Sequence, residues 1–166
     1  MPRPQAYPRI AIPDSVFRPV SVGDITLQLN AAVDSLSVRG SLNGSWWVTA
    51  LYNDFDASLF ITVTPLSPAD ALSTIDNRVE RLSLNTGGLP TEVTSFTTSA
   101  GLDARIIVTP QGSPVPVQFL VTDHNTLLVS GSATLEAAAT APPDSIAPVI
   151  DMLRRDVTHT VLTISK

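Results

Sequence analysis

The chain has 166 residues, enough for one domain that buries about 70% of its unfolded-chain surface without disulfides or a structural metal. A net charge of −5 and the lack of any Lys/Arg stripe exclude a phosphate-backbone ligand, so nucleic acid is not an expected partner. The absence of cysteine excludes disulfides, thiolate metal ligands and a cysteine nucleophile, and charged residues at only 15% leave Ser, Thr, Asn and Gln to wet the surface, a balance that leans towards β structure.

Five prolines (Pro2, Pro4, Pro8, Pro13 and Pro19) punctuate residues 1–20. Each fixes φ and withholds a backbone donor, which predicts an extended N-terminal arm ahead of a single domain over 21–166. Alternating or β-branched runs follow at 25–29, 36–38, 46–52 and 59–63, with turn chemistry at Asn43-Gly44 and Asn53-Asp54. They predict an antiparallel meander.

Ser67-Pro68-Ala69-Asp70 combines a cap, a proline at the first helical position and an acid at the third, a strong helix start. Leu72, Ile75, Val79 and Leu82 recur at helical spacing before Gly87-Gly88 ends the run. Strands resume at 91–99, 104–109, 117–122 and 127–135. Asp144 is then placed to cap a second helix with Ile146, Val149, Ile150, Leu153 and Val157 inward, and Val161, Leu162 and Ile164 predict a short closing strand. No apolar run approaches the roughly 18 residues of a membrane-spanning helix. The fold class expected is α+β, an antiparallel β-sheet with two helices packed on it, analogous to PsbP/Mog1-type domains.

Chemistry-bearing constellations are sparse. His124 lies in an Asp-His-Asn turn, and His159 falls near the end of the second helix, where a cation complements the helix dipole. Asp54 and Asp56 flank Phe55 but lack the further oxygen ligands of a calcium loop, and the glycine pairs lack the lysine of a phosphate loop. No catalytic set, metal site or cofactor is expected. Trp46, Trp47, Tyr52 and Phe55 form an aromatic group that suits core and sheet packing, with Trp46 the candidate for exposure. Asp151 stands four residues before Arg155, the spacing of a helix-surface ion pair, while Arg154-Arg155-Asp156 and His159 form a polar string that no helix rule requires.

That string, Ser145-Ile146-Ala147-Pro148-Val149-Ile150 followed by Arg154-x-Asp156-Val157-x-His159, resembles the C-terminal signature of GldD, the gliding-motility lipoprotein family of Bacteroidetes. Val117-Gln118-Phe119-x-Val121-Thr122-Asp123 with Gly131-x-Ala133 resembles its central hairpin, Pro2-x-Pro4 with Tyr7-x-Arg9-Ile10 and Pro13 its N-terminal arm, and Trp47 with Phe55-x-Ala57-x-Leu59 its aromatic strands. Gln5-Ala6, Ser130 and the non-aromatic C-terminus depart from the family pattern. The resemblance implies a non-enzymatic cell-envelope lipoprotein, anchored by a lipid on a cysteine just before Pro2 and facing the periplasm. It would act as an assembly or stability factor for gliding motility and/or type IX protein secretion, with other envelope proteins as partners. Candidate partner-binding residues are Tyr7, Arg9, Arg154, Arg155, Asp156 and His159. The competing expectation is a periplasmic small-molecule or cell-wall ligand-binding domain built on the aromatic group.

Overall fold

A computed structural model describes residues 16–52 and 56–166 of the chain. In chain order the elements are β1 (Phe17–Val22), β2 (Ile25–Asn30), β3 (Ser35–Gly40), β4 (Trp46–Tyr52), β5 (Ala57–Pro65), α1 (Ala71–Asn85), β6 (Glu92–Thr97), β7 (Asp103–Val108), β8 (Val117–Thr122), β9 (Leu127–Leu135) and α2 (Pro143–Thr163). Seven strands form one antiparallel sheet in the order β3-β4-β5-β9-β8-β7-β6, while β1 and β2 pair apart from it. The architecture is α+β, as the sequence predicts.

Period-two alternation explains how one sheet serves two cores. On β8, Val117, Phe119 and Val121 join a core that includes Ile146, Val149, Ile150 and Leu153 of α2, whereas Leu120 joins a second core with Ala71, Ile75 and Leu82 of α1. The two helices therefore lie on opposite faces, and all six residues of β8 are buried between them. Gln118, fully buried, is satisfied by α1: its amide donates to the Leu82 carbonyl at 3.0 Å and accepts from Asn85 at 3.1 Å.

The β1–β2 hairpin shares the α2 side, burying Val20, Val22, Ile25, Leu27 and Leu29 in the larger core. Residues 17–20 of the predicted arm are thus paired strand, with Pro19 opposite Gln28. The hairpin glycine, Gly23 (φ +61°), lies under Trp46: a Cβ there would meet the indole Nε1 at 2.6 Å. Trp46 is accordingly half-buried, and the exposed tryptophan is Trp47, on the sheet face that α1 leaves open beside Phe60.

Several local expectations are corrected. Regular helix in α1 starts at Ala71, not at Pro68, because the Asp70 carboxylate closes a turn onto Ser67, accepting from its hydroxyl at 2.7 Å and its N–H at 3.2 Å. With Ala71 and Ile75 inward, Leu72 is rotated out of the stripe and exposed. Helix α2 begins after Pro142 with no side-chain cap, so Asp144 serves in its first turn, favourable to the dipole, and not as the cap. The predicted closing strand is helix up to Thr163, since Thr160 and Val161 continue the buried stripe; only Ser165 then bridges Thr26.

The β8–β9 turn is organised by Asp123, whose carboxylate accepts the N–H groups of Asn125, Thr126 and Leu127 at 2.8–2.9 Å, the Thr126 hydroxyl at 2.6 Å and the Lys166 ammonium at 2.8 Å. Partial burial alone would raise its pKa, but Lys166, Thr126 and the turn amides together hold it well below the ordinary carboxylate value. A depressed folded pKa contributes stability above the ordinary pKa that is lost as pH falls. Asp123→Asn is therefore expected to lower stability by about 1–2 kcal/mol at neutral pH and to flatten the acid limb between about pH 4 and 2. Urea midpoints of both proteins across that range check it.

Candidate functional site

Helix α2 carries four of the residues singled out in the sequence, and the fold divides them. Asp156 points inward. Its carboxylate accepts the Tyr52 hydroxyl of β4 at 2.9 Å and the Asn30 amide of β2 at 3.1 and 3.2 Å, while the Asn30 carbonyl oxygen accepts the Ala32 N–H at 2.9 Å and so fixes which way the amide faces. The three residues are 2–6% exposed. Burial pushes the Asp156 carboxyl above its ordinary range, against the opposing pull of Tyr52, Asn30, Arg155 and His159; burial and the adjacent carboxylate push the Tyr52 phenol far up. Asp156 thus ties α2 to both sheets and is not available to a partner.

His159 is likewise turned towards the fold, half-buried, and does not serve as an exposed dipole cap. Its Nε2 lies 2.8 Å from the Gln28 side-chain oxygen, which makes that nitrogen the donor, and its ring stacks on Phe17 with centroids 3.7 Å apart. The Thr160 hydroxyl donates to the Gln28 carbonyl at 2.7 Å, and the Gln28 N–H donates to the Thr163 hydroxyl at 3.0 Å. The last turns of α2 therefore grip β1 and β2. Gln28 and Phe17 carried no sequence signal for this role, because partners more than 130 positions apart meet only in three dimensions.

Arg154 and Arg155 face solvent. The ion pair expected between Asp151 and Arg155 is instead Asp151 with Arg154, at 3.9 Å and with both side chains at least half exposed, an arrangement worth only tenths of a kcal/mol. The two arginines stand over a cleft of about 390 Å³ between α2 and the free edge of the sheet, floored by Phe96, Ile106, Val108 and Leu162. Apolar side chains beside two arginines, with Glu92 also in the lining, make this cleft the recognition feature next to the polar string.

Elsewhere the geometry is less suited to chemistry. His124, at φ +65° in the β8–β9 turn, lies 2.7 Å from Asp103 beside a cavity of about 400 Å³ under α1. That bond to His124, then one from Thr97, lowers the Asp103 pKa, but the pair is well exposed. The nearby hydroxyls of Thr97 and Thr122 already donate to Asp103 and to the Leu127 carbonyl. Among the described residues no cluster of three His, Cys, Asp or Glu could hold a metal. The aromatic group is dispersed, with Tyr52 in the core, Trp46 against the hairpin glycine and Trp47 on the opposite face. Tyr7, Arg9, Asp54 and Phe55 lie outside the described residues.

Residues 1–165 match the family model described as gliding motility lipoprotein GldD. The chain belongs to the GldD family. The match spans every block on which the resemblance was drawn, from Pro2 to His159. No curated protein matches the chain. Membership in a lipoprotein family implies anchoring in the cell envelope, and among the described residues of this GldD-family chain no helix is long and apolar enough to cross a membrane.

Proposed function

We propose that this chain is a non-enzymatic assembly or stability factor for the gliding-motility and type IX secretion machinery, held by its lipid on a periplasm-facing membrane surface and docking another envelope protein at the outer face of α2. The observation that carries the proposal is the placement of Arg154 and Arg155 over an apolar cleft, in a chain whose net charge is −5. Arginine beside apolar side chains that a partner could cover is the composition of an interface anchor. Asp156 and His159 have a positioning role here: by fixing α2 to the hairpin and sheet they set where the arginines stand. Tyr7 and Arg9 are proposed as further partner-binding residues on the sequence alone.

The test is chromosomal replacement with Arg154→Ala/Arg155→Ala in the native organism. Both side chains are exposed, so the variant protein should accumulate to the wild-type level, while colony spreading and export of type IX cargo fall roughly tenfold. Wild-type spreading and export in that strain would remove the α2 face from the proposal. A strain lacking the whole gene that still spreads and secretes would end the proposal altogether.

A further inference from the structure

Strand β6 ends the seven-stranded sheet, with β7 on one side and, among the described residues, no strand on the other. The register specifies which of its backbone groups are open. The Thr98 N–H donates to the Leu102 carbonyl at 2.8 Å, which makes 98 and 102 a hydrogen-bonded pair. Antiparallel alternation then turns the backbone groups of Glu92, Thr94 and Phe96 towards Val108, Ile106 and Ala104. The N–H and C=O groups of Val93, Ser95 and Thr97 point out of the sheet, and among the described residues no backbone group pairs with them. This is a template for one more strand.

Side chains on that edge alternate too. Glu92, Thr94 and Phe96 face the cleft beneath Arg154 and Arg155. Residues directly opposite one another in adjacent strands project to the same face, so a strand added along β6 would direct every second side chain over the cleft. Glu92 lies at the Arg154 end of the cleft and disfavours an acid directly opposite itself, whereas the arginines, whose only ion pair among the described residues is the exposed 3.9 Å contact of Arg154 with Asp151, favour an acid facing them. Charge complementarity therefore selects the occupant.

We propose that an extended peptide segment of the partner, with Asp or Glu at the positions facing Arg154 and Arg155 and apolar residues on the Phe96 floor, adds to β6 as an eighth strand of the sheet. This rests on the docking role given to α2 above, and it names the chemistry of what docks.

The experiment uses the intact chain as bait for a random displayed peptide library, with Arg154→Ala/Arg155→Ala and Ser95→Pro as parallel baits. Ser95→Pro removes an outward donor without removing a β6–β7 bond. Wild-type bait should enrich extended peptides in which one set of alternate residues combines Asp or Glu, opposite the arginines, with an apolar side chain, opposite Phe96, and both variants should lose them. A synthetic copy of the leading peptide, N-methylated at the alternate amides facing β6, should bind roughly tenfold more weakly, while methylation of the other alternates is tolerated. That comparison leaves the protein untouched, so it decides the matter even if Ser95→Pro perturbs folding. Enrichment without an acidic pattern, enrichment of helical amphipathic peptides, or equal binding of both methylated sets would overturn the proposal. Self-association of the wild-type chain that Ser95→Pro abolishes would assign the edge to a second copy instead. Acidic-strand binding together with normal spreading of the arginine-variant strain would sink the motility role and leave strand addition standing. A spreading defect without acidic-strand selection would do the reverse.

Discussion

Asp156→Ala is expected to lower the unfolding free energy by about 3 kcal/mol, because it removes the acceptor of two buried donors at once. The Asn30 amide cannot rotate to compensate, since its carbonyl oxygen is held by the Ala32 N–H. The Tyr52 hydroxyl loses its 2.9 Å bond in the same step. Asp156→Asn should lose less, as the side-chain carbonyl still accepts from Tyr52 while its amide opposes that of Asn30. Tyr52→Phe, which deletes one donor and keeps the carboxylate with Asn30, should cost about 1.5 kcal/mol. The pH dependence separates these effects from simple loss of packing. Since burial raises the folded pKa of Asp156 above its ordinary 3.8, its contribution is fully present below that value and is lost as pH rises through the folded pKa. Asp156→Asn should therefore gain on the wild type as pH rises above the ordinary carboxylate pKa, the opposite of the trend expected for Asp123→Asn. Urea titrations of the wild type and Asp156→Asn that run parallel across this range would show that the carboxyl is not perturbed by its site.

Gly131→Ala is the second substitution with a large expected effect. Gly131 of β9 pairs with Ile61 on one side and Phe119 on the other. A Cβ at this position would stand 2.4 Å from Phe119 Cε1 and 2.5 Å from the backbone carbonyl oxygen of Phe60. Phe119 is fully buried in the α2-side core, and the β5 carbonyl belongs to the sheet. Relief requires separating strands at the centre of the molecule, so a loss of about 3 kcal/mol or more is expected, with reduced soluble yield. Phe119→Leu in the same chain should recover only part of it, since the ring clash is removed and the clash with the Phe60 carbonyl is not. A Gly131→Ala protein with a wild-type thermal midpoint would show that the glycine is not required by packing.

Both substitutions mark the limits of sequence reading. Gly131 in a strand pattern signals a close approach without saying what approaches. Asp156 was legible in principle: it falls in phase with Val149 and Leu153 on the buried stripe that continues through Thr160. As one member of the Arg154-Arg155-Asp156 run, it reads instead as a partner-binding residue. A polar residue on an apolar stripe is a buried hydrogen-bonding group awaiting partners, and those partners lay 104 and 126 positions away.

The sequence by itself determined both helices, eight of the nine strands, the antiparallel α+β class and the family, because alternation, helical spacing and ordered motif blocks are local properties of the chain; it missed β1 in the Pro-spaced arm and read the last turn of α2 as a strand. It did not determine that the helices occupy opposite faces, that β1 and β2 stand apart from the main sheet, or that Arg154 and Arg155 overlook an open strand edge. Each of those depends on which strands become neighbours. Strand order follows from burying two apolar helix stripes and a hairpin on one sheet at once, a global packing solution in which residues distant in sequence are placed by one another.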